Sequence, residues 1–299
     1  MKAFPFIEIE KKKYPTVIMG EDHFTGWFKK CKKYNSERER GNAYKETLEI
    51  AYSKGVRGFS MSPHPTLIKV LKDFKQKHPE IVCISNHHWG THYYIDKDSL
   101  WNQDNMKKLG NFAASKIDKE MQDKCYWFRD VDVNNVFSKD EIKKFRLDEE
   151  EYNSKLQQFE FCDFCLVGNL GISSLILHNR IDIIQKEIDL AREKGFVPLL
   201  MAEGGGVALP TAEKLDVAGS WLCINRSYVF PNFDVALKAI KNSTKPLTAY
   251  KILTSPDGFN LEKSISFING IKQIKSIVIG VDGKDQAEET FGQLGKYWK

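Results

Sequence analysis

The sequence predicts an α/β protein that folds as a single (β/α)8 TIM barrel. Two observations indicate this fold class: eight short runs are apolar throughout, and nearly all of them precede an amphipathic helical stretch. Strands that are apolar on both faces are typical of parallel sheets covered by helices on either side. Eight such units in 299 residues match a closed barrel. The runs cover residues 16–19, 56–60, 81–85, 164–167, 197–202, 220–224, 247–253 and 276–281.

The regular strand–helix repeat favours one domain over residues 1–299, with one interruption after the third predicted strand. Residues 96–160 are roughly four times longer than a typical connection. Helical spacing recurs there at 105–124 and 139–158. We therefore predict a mainly helical insertion on the catalytic face, acting as a lid or as the contact of a homo-oligomer. Residues 2–14 are predicted to form a hairpin or strand that closes the opposite, amino end.

Composition narrows the class of partner. The 45 basic and 40 acidic residues give a formal charge of +5, and the lysines are spread along the chain, so we expect no nucleic-acid partner. No run approaches the ~18 apolar residues of a membrane span. Three of the six cysteines fall inside predicted buried strands, which favours reduced thiols. The expected location is the cytoplasm, and the expected partner is a small-molecule substrate.

Histidines cluster after the first three predicted strands, where loops of a barrel meet at the carboxyl-end face. Five of the seven histidines lie there: His23, His64, His87, His88 and His92. With Glu21 or Asp22 these imidazoles are candidates for a divalent metal site, zinc or manganese, in which His23, His64 and His87 are the ligands. They are equally candidates for general acid–base work, with His23 and Asp22 as catalytic residues. The alternative is that they hydrogen-bond loop backbone.

Glu203 and Lys251 are the other predicted catalytic residues. Glu203 ends the fifth strand before three glycines, and Lys251 lies in the seventh. Alternation predicts that Ala249 and Lys251 face the barrel interior, where a charge needs a partner or a shifted pKa. A desolvated lysine is suited to imine formation with a carbonyl. The alternative is a supporting Lys251–Glu203 ion pair.

Polar and aromatic residues at other strand ends are predicted to bind substrate. Asn169 and Asn225 follow the fourth and sixth strands, and their alternative role is loop capping. The remaining members of this set are His88, Trp89 and Arg226. A phosphate position after the last two strands is weakly indicated, because Asp282 and Asp285 lie there and would repel an anion.

The final third of the chain resembles the end of aldo/keto-reductase-like barrels. The matching segments are 245–253, 276–281 and 285–289, with 17–20 and 46–58 near the start. The resemblance is greatest to uncharacterised TIM-barrel proteins of that superfamily, and it implies the fold. Its reductases use an Asp, Tyr, Lys, His tetrad, which is not matched: Ser85 and Asn86 stand where a lysine would end the third strand, and Gly168 and Asn169 where a histidine would end the fourth.

These observations predict an enzyme of lyase or isomerase type that acts on a small polar carbonyl- or hydroxyl-bearing metabolite, with a His/Glu/Lys site. Three alternatives remain open. The first is a Schiff-base, class I aldolase-like enzyme using Lys251. The second is a diverged aldo/keto-reductase-like oxidoreductase with a nicotinamide cofactor near the last two strands. The third is a non-catalytic ligand-binding barrel.

Overall fold

The computed structural model describes residues 2–26, 33–86, 92–117, 119–124, 130–168, 172–254 and 259–298. Its strands are β1 (Phe6–Ile9), β2 (Lys12–Pro15), β3 (Val17–Gly20), β4 (Gly58–Met61), β5 (Val82–Ser85), β6 (Tyr93–Ile95), β7 (Asp98–Ser99), β8 (Phe145–Leu147), β9 (Phe164–Val167), β10 (Val197–Ala202), β11 (Ser220–Cys223), β12 (Leu247–Tyr250) and β13 (Ile274–Gly280). Its helices are α1 (Asp22–Thr25), α2 (Glu37–Ser53), α3 (Pro65–Lys77), α4 (Gln103–Ala114), α5 (Lys119–Lys124), α6 (Lys139–Lys143), α7 (Glu149–Gln157), α8 (Ile172–Leu177), α9 (Ile181–Glu193), α10 (Gly205–Ala212), α11 (Phe233–Asn242), α12 (Leu261–Asn269) and α13 (Lys284–Tyr297).

Eight of these strands form a closed barrel, which confirms the predicted TIM-barrel fold. Around the barrel the order is β3, β4, β5, β9, β10, β11, β12 and β13, and β13 pairs with β3 to close it. All eight pairings are parallel. The carboxyl ends of the strands therefore meet at one rim, which we call the mouth of the barrel.

The barrel strands bury side chains on both faces, as their apolar sequences require. Val17 and Met19 of β3 pack with Tyr44 and Leu48 of α2 in the outer layer. Ile18 points the other way, into the barrel interior. Full burial of one such side chain stabilises the fold by ~1.5–3 kcal/mol. Because side chains alternate along a strand, the parity of a position decides whether it faces the interior.

The hairpin of β1 and β2 lies at the amino end of the barrel. Its Tyr14 is buried in the interior, where the hydroxyl pairs with Thr248 Oγ1 at 2.9 Å and accepts a hydrogen bond from Trp221 Nε1 at 2.7 Å. Gly58 passes so close to Pro15 that an added Cβ would lie 2.4 Å from its ring. The hairpin thus fills the amino end and leaves the mouth as the place for a site.

Between β5 and β9 the chain forms an antiparallel sheet in the order β7, β6, β8, together with helices α4 to α7. We call this the β5–β9 segment. It is anchored to the barrel through Glu187 of α9, whose carboxylate accepts a hydrogen bond from Tyr93. His92 Nε2 lies 3.8 Å from Glu187 Oε1, and both side chains are fully buried. The sheet was not predicted from the sequence.

The structure also bears on membrane spans and on the cysteines, two features that composition addressed. Within the described residues, no helix combines the length and the apolar character that crossing a membrane requires. The cysteines described as free thiols are all buried: Cys83, Cys162, Cys165 and Cys223. Cys31 and Cys125 lie outside the described residues.

Candidate functional site

Three charged side chains meet at the mouth of the barrel. Asp22 begins α1 just after β3, Glu203 follows β10, and Lys251 follows β12. Lys251 Nζ lies 3.7 Å from Glu203 Oε1, a distance typical of an ion pair and too long for a hydrogen bond. The charge of Lys251 also acts on Asp22. The fold therefore brings together residues that are far apart in the sequence, and it contains the Lys251–Glu203 ion pair that we gave as an alternative.

The direction of the Lys251 side chain does not follow from the alternation of side chains along the strand. Ala249 packs in the outer layer and Tyr250 in the barrel interior, so the predicted orientation of Ala249 is wrong. The strand ends at Tyr250, and Lys251 has a φ of 55°, in the left-handed region that residues with a Cβ rarely adopt. Asn225 Nδ2 donates to the Lys251 carbonyl at 3.3 Å. This turn, rather than strand parity, directs the lysine.

Burial shifts the pKa of both carboxyl groups toward neutrality. The pKa of Asp22 is raised to about 7, because the group is desolvated and lies near Glu21, while Lys251 offsets part of the rise. The pKa of Glu203 is also raised to about 7 by desolvation, again against the effect of Lys251. Carboxyl groups that titrate near neutral pH are suited to general acid–base catalysis.

A third carboxyl group, Glu21, is buried beside this pair. Ser60 and Ser62 both donate hydrogen bonds to it from the end of β4. Burial raises the pKa of Glu21, and the two serine hydroxyls oppose that rise. Sequence reasoning named Glu21 only as a companion of the histidines and missed both serines. Their position at interior parity, next to Gly58 of the same strand, was the signal that could have found them.

Among the residues that the structure describes, the mouth also holds buried polar atoms without a hydrogen-bond partner. They are the Asn86 Oδ1 atom and the Tyr250 hydroxyl, in residues that are 6% and 8% exposed, and Glu203 Oε1, which has the Lys251 ammonium at 3.7 Å as an ion-pair partner. Buried polar groups are normally satisfied, so a group of exceptions at one rim indicates a place where a ligand supplies the partners. Asn86 and Tyr250 were not among the predicted site residues. Their interior direction was not evident without the strand boundaries.

The histidine side chains that the structure describes lie in separate places rather than in one cluster. The His23 ring packs against Gly280 at the rim, and burial lowers its pKa while Asp282 partly offsets this. His64 precedes α3 and lies 3.8 Å from Glu37. His92 is beneath the β5–β9 segment with Glu187. His87 and His88 lie outside the described residues.

The predicted zinc or manganese site is therefore wrong in the form proposed. Across the part of the chain that the structure describes, no three His, Cys, Asp or Glu side chains are grouped so as to hold a metal ion. The physical reason is direction: His64 turns toward α2, and His23 toward β13, so the loops converge while their imidazoles do not.

The predicted substrate-binding residues have separate outcomes. Asn225 Oδ1 accepts from the backbone N–H groups of Ser227 and Tyr228, each at 2.9 Å, which is the loop-capping alternative. Arg226 is half-buried in the same loop. Trp89 and Asn169, like His88, lie outside the described residues, and their substrate-binding role stays a prediction.

Comparison with solved structures places this barrel among known folds. A protein named as a candidate aldo-keto reductase from Pseudomonas aeruginosa matches with a TM-score of 0.60 and 12% identity, over 100% of this chain and 98% of that chain. An aldo-keto reductase from Bacillus halodurans, in its holo form, matches with a TM-score of 0.55 and 10% identity, over 97% and 90%. The glycerol dehydrogenase of Gluconobacter oxydans matches at 0.53 and 10%, over 96% and 89%. No protein-family model and no curated protein sequence matches the chain.

These likenesses, at 10–12% identity, show the TIM-barrel fold that the resemblance of the final third implied. They also correct two expectations. The structural neighbours are reductases and a dehydrogenase, so the prediction of lyase or isomerase chemistry is wrong. The expectation of a divalent metal as the cofactor is likewise wrong. The described residues contain no group of three metal-ligating side chains, and the structural neighbours are named as reductases and a dehydrogenase.

Proposed function

We propose that this chain is an oxidoreductase that interconverts a carbonyl and an alcohol on a small polar metabolite. One observation carries the proposal: two buried carboxyl groups with a pKa of about 7, Asp22 and Glu203, lie beside the amine of Lys251 at the mouth of the barrel. Reduction of a carbonyl adds a hydride to carbon and a proton to oxygen. The cluster contains groups for the proton and for the charge that develops on oxygen.

Asp22 is the proposed general acid. Below about pH 7 it is protonated and can give its proton to the carbonyl oxygen, while the Lys251 ammonium stabilises negative charge on that atom. Glu203 lies 3.7 Å from Lys251 Nζ and, as it ionises near pH 7, favours the charged form of Lys251. In the opposite direction ionised Asp22 takes the proton from the alcohol. Reduction is therefore expected to slow, and oxidation to speed up, as the pH rises through about 7.

A nicotinamide dinucleotide is the hydride carrier that this proposal implies, and when bound it supplies or removes the hydride. The nicotinamide carboxamide suits the mouth, because Asn86 Oδ1 is buried with no donor among the described residues and a carboxamide N–H would provide one. The first turn of α13 has no side-chain cap, so its backbone amides are a position for phosphate. Asp282 and Asp285 beside that turn are expected to weaken binding there.

We also propose that the β5–β9 segment forms one wall of the substrate site. Ser174 of α8 donates to the Leu109 carbonyl of α4 at 3.3 Å, and Ser173 of α8 accepts from Gly204 N at 3.1 Å. Gly204 follows Glu203 directly. This chain of contacts supports a lid or wall role for residues 96–160.

Turnover of small carbonyl compounds with NADPH and NADH, followed by the absorbance of the reduced cofactor, tests the function. Asp22→Asn keeps the shape but removes the acid, and we expect the reduction rate to fall about 10²- to 10⁴-fold. Asp234→Asn, an exposed change on α11, is the matched control and should keep full activity. Equal rates for wild type and Asp22→Asn would refute the assignment of Asp22.

A further inference from the structure

One buried acid of the helical layer has no part in the proposed chemistry. Glu187 of α9 is fully buried and accepts a hydrogen bond from the Tyr93 hydroxyl at the start of β6. The Tyr152 hydroxyl of α7 and the backbone N–H of Gly168 also donate to it. Tyr93 and Tyr152 belong to the β5–β9 segment, whereas Gly168 directly follows β9 of the barrel. One carboxyl group therefore joins three elements that are far apart in the sequence.

The hydrogen bond from Gly168 links this acid to the rim of the barrel. Gly168 has a φ of 79°, and a Cβ added there would lie 2.1 Å from the Cδ1 atom of Ile172, so the backbone is held close to α8. Ile172 begins α8, and the next residue, Ser173, accepts a hydrogen bond from the backbone N–H of Gly204 at 3.1 Å. Gly204 directly follows Glu203 of the proposed site. The buried acid is thereby connected to the mouth through packed and hydrogen-bonded neighbours.

The groups that face Glu187 do not fully compensate for its burial. Among the described residues they are the two tyrosine hydroxyls, the backbone N–H after β9, His92 Nε2 at 3.8 Å from Oε1, and the thiol of Cys165 on β9. Tyr93 and Tyr152 keep their protons, because burial raises the pKa of both hydroxyls well above the ordinary value. Burial also raises the pKa of Glu187 to about 7, although the hydrogen bonds oppose this rise. The folded protein therefore favours the protonated carboxyl group.

We propose that Glu187 is a positioning residue for the mouth: its protonated carboxyl group holds β6, α7 and the carboxyl end of β9 together, and its ionisation loosens these contacts. The rim beside Glu203 then opens more often. A buried carboxylate gains free energy from hydration, and local opening is the way in which water reaches it. The consequence for substrate affinity rests on the proposed function. The opening itself does not, because it can be measured without a substrate.

Hydrogen–deuterium exchange detected by mass spectrometry tests the inference, with each rate divided by that of the unfolded chain at the same pH. The amides to follow are those of residues 93–95, 149–157, 164–168 and 202–206. Glu187 has a pKa of about 7 in the closed state and its ordinary value of 4.5 once opening hydrates it, so its stabilising effect is lost as the pH rises through about 7. The ratio of wild-type to Glu187→Gln protection should therefore fall about tenfold between pH 6 and pH 8. Glu193→Gln, exposed at the end of α9, should match the wild type at both pH values.

Tyr93→Phe is a second variant, should Glu187→Gln fail to fold. It removes one donor to the carboxylate, so the pKa of Glu187 should rise further and the loss of protection should move to higher pH. A constant ratio or an unmoved midpoint would overturn the inference, and so would a fall confined to the β5–β9 segment without residues 202–206. The expected exchange in a protein that turns over no carbonyl compound or alcohol with a nicotinamide cofactor would instead refute the proposed function and leave the inference in place.

Discussion

At the scale of single residues, Lys251 lowers the pKa of both carboxyl groups that lie beside it at the mouth. Its ammonium is the group that lowers the pKa of both Asp22 and Glu203 against the effect of burial. Its side chain is 29% exposed, so it can also meet a ligand that enters the mouth. One residue therefore links the proposed proton donor Asp22, its ion-pair partner Glu203 and solvent.

Replacing Lys251 by methionine removes that charge and keeps the apolar stem. The pKa of Asp22 should then rise further, so the pH midpoint for carbonyl reduction should move upward. The maximal rate should fall about 10²-fold, because negative charge on the substrate oxygen loses its stabilising partner. A pH–rate profile measures both effects. Lys263→Met, exposed on α12, is the control, and a midpoint that stayed in place or moved downward would contradict the role given to Lys251.

The sequence predicted part of this cluster and missed the rest for a definite reason. Asp22 and Glu203 follow predicted strands and Lys251 lies near the end of one, and strand ends are found well from apolar runs. Asn86, Tyr250 and the serines of β4 depend on which face of a strand points inward, which requires strand boundaries to within one residue. The predicted metal site is wrong because loop proximity does not fix the direction of a side chain.

At the scale of elements, the β5–β9 segment depends on one buried acid. Glu187 of α9 accepts hydrogen bonds from Tyr93 at the start of β6, from Tyr152 of α7 and from the backbone of Gly168 after β9. Burial raises its pKa to about 7, while those three hydrogen bonds oppose the rise. The other groups facing it are His92 at 3.8 Å and Cys165 of β9. The ionisation of this one carboxyl group therefore affects the contact between the β5–β9 segment and the barrel.

Glu187→Gln tests this joint through stability against pH. Glu187 holds its proton more tightly in the folded chain, so its contribution to the free energy of unfolding is present below its ordinary pKa of 4.5 and is lost as the pH rises to about 7. The glutamine variant lacks that loss. Its stability relative to wild type should therefore improve by about 3 kcal/mol between pH 4 and pH 8 in urea unfolding.

Glu193→Gln, exposed on the same helix, should track the wild type at every pH. A stability difference for Glu187→Gln that stays constant with pH would show that the buried acid does not titrate in this range.

The short strands of the β5–β9 segment could not be predicted from sequence patterns. Strands β6, β7 and β8 have two or three residues each, and β6 pairs with β8 across about fifty residues of chain. Alternation cannot be detected over so few positions. Helical spacing was visible there, which is why the sequence predicted a mainly helical insertion and no sheet.

At the scale of the whole molecule, the fold was predictable because every barrel unit repeats the same physical requirement. A strand covered on both faces must be apolar throughout, and eight such strands define a closed barrel with one mouth. The activity did not follow from that pattern, since one barrel supports many chemistries. The structural neighbours at 10–12% identity share the fold.

Isotope transfer tests the central claim most directly. The protein would be incubated with NADPH or NADH deuterated at the transferable position of nicotinamide, together with a panel of small polar ketones and aldehydes. We predict that mass spectrometry detects an alcohol product carrying one deuterium on the former carbonyl carbon, at a rate that Asp22→Asn lowers and Asp234→Asn does not. Folded, ligand-binding protein that yields no deuterated product from any member of the panel would contradict the account.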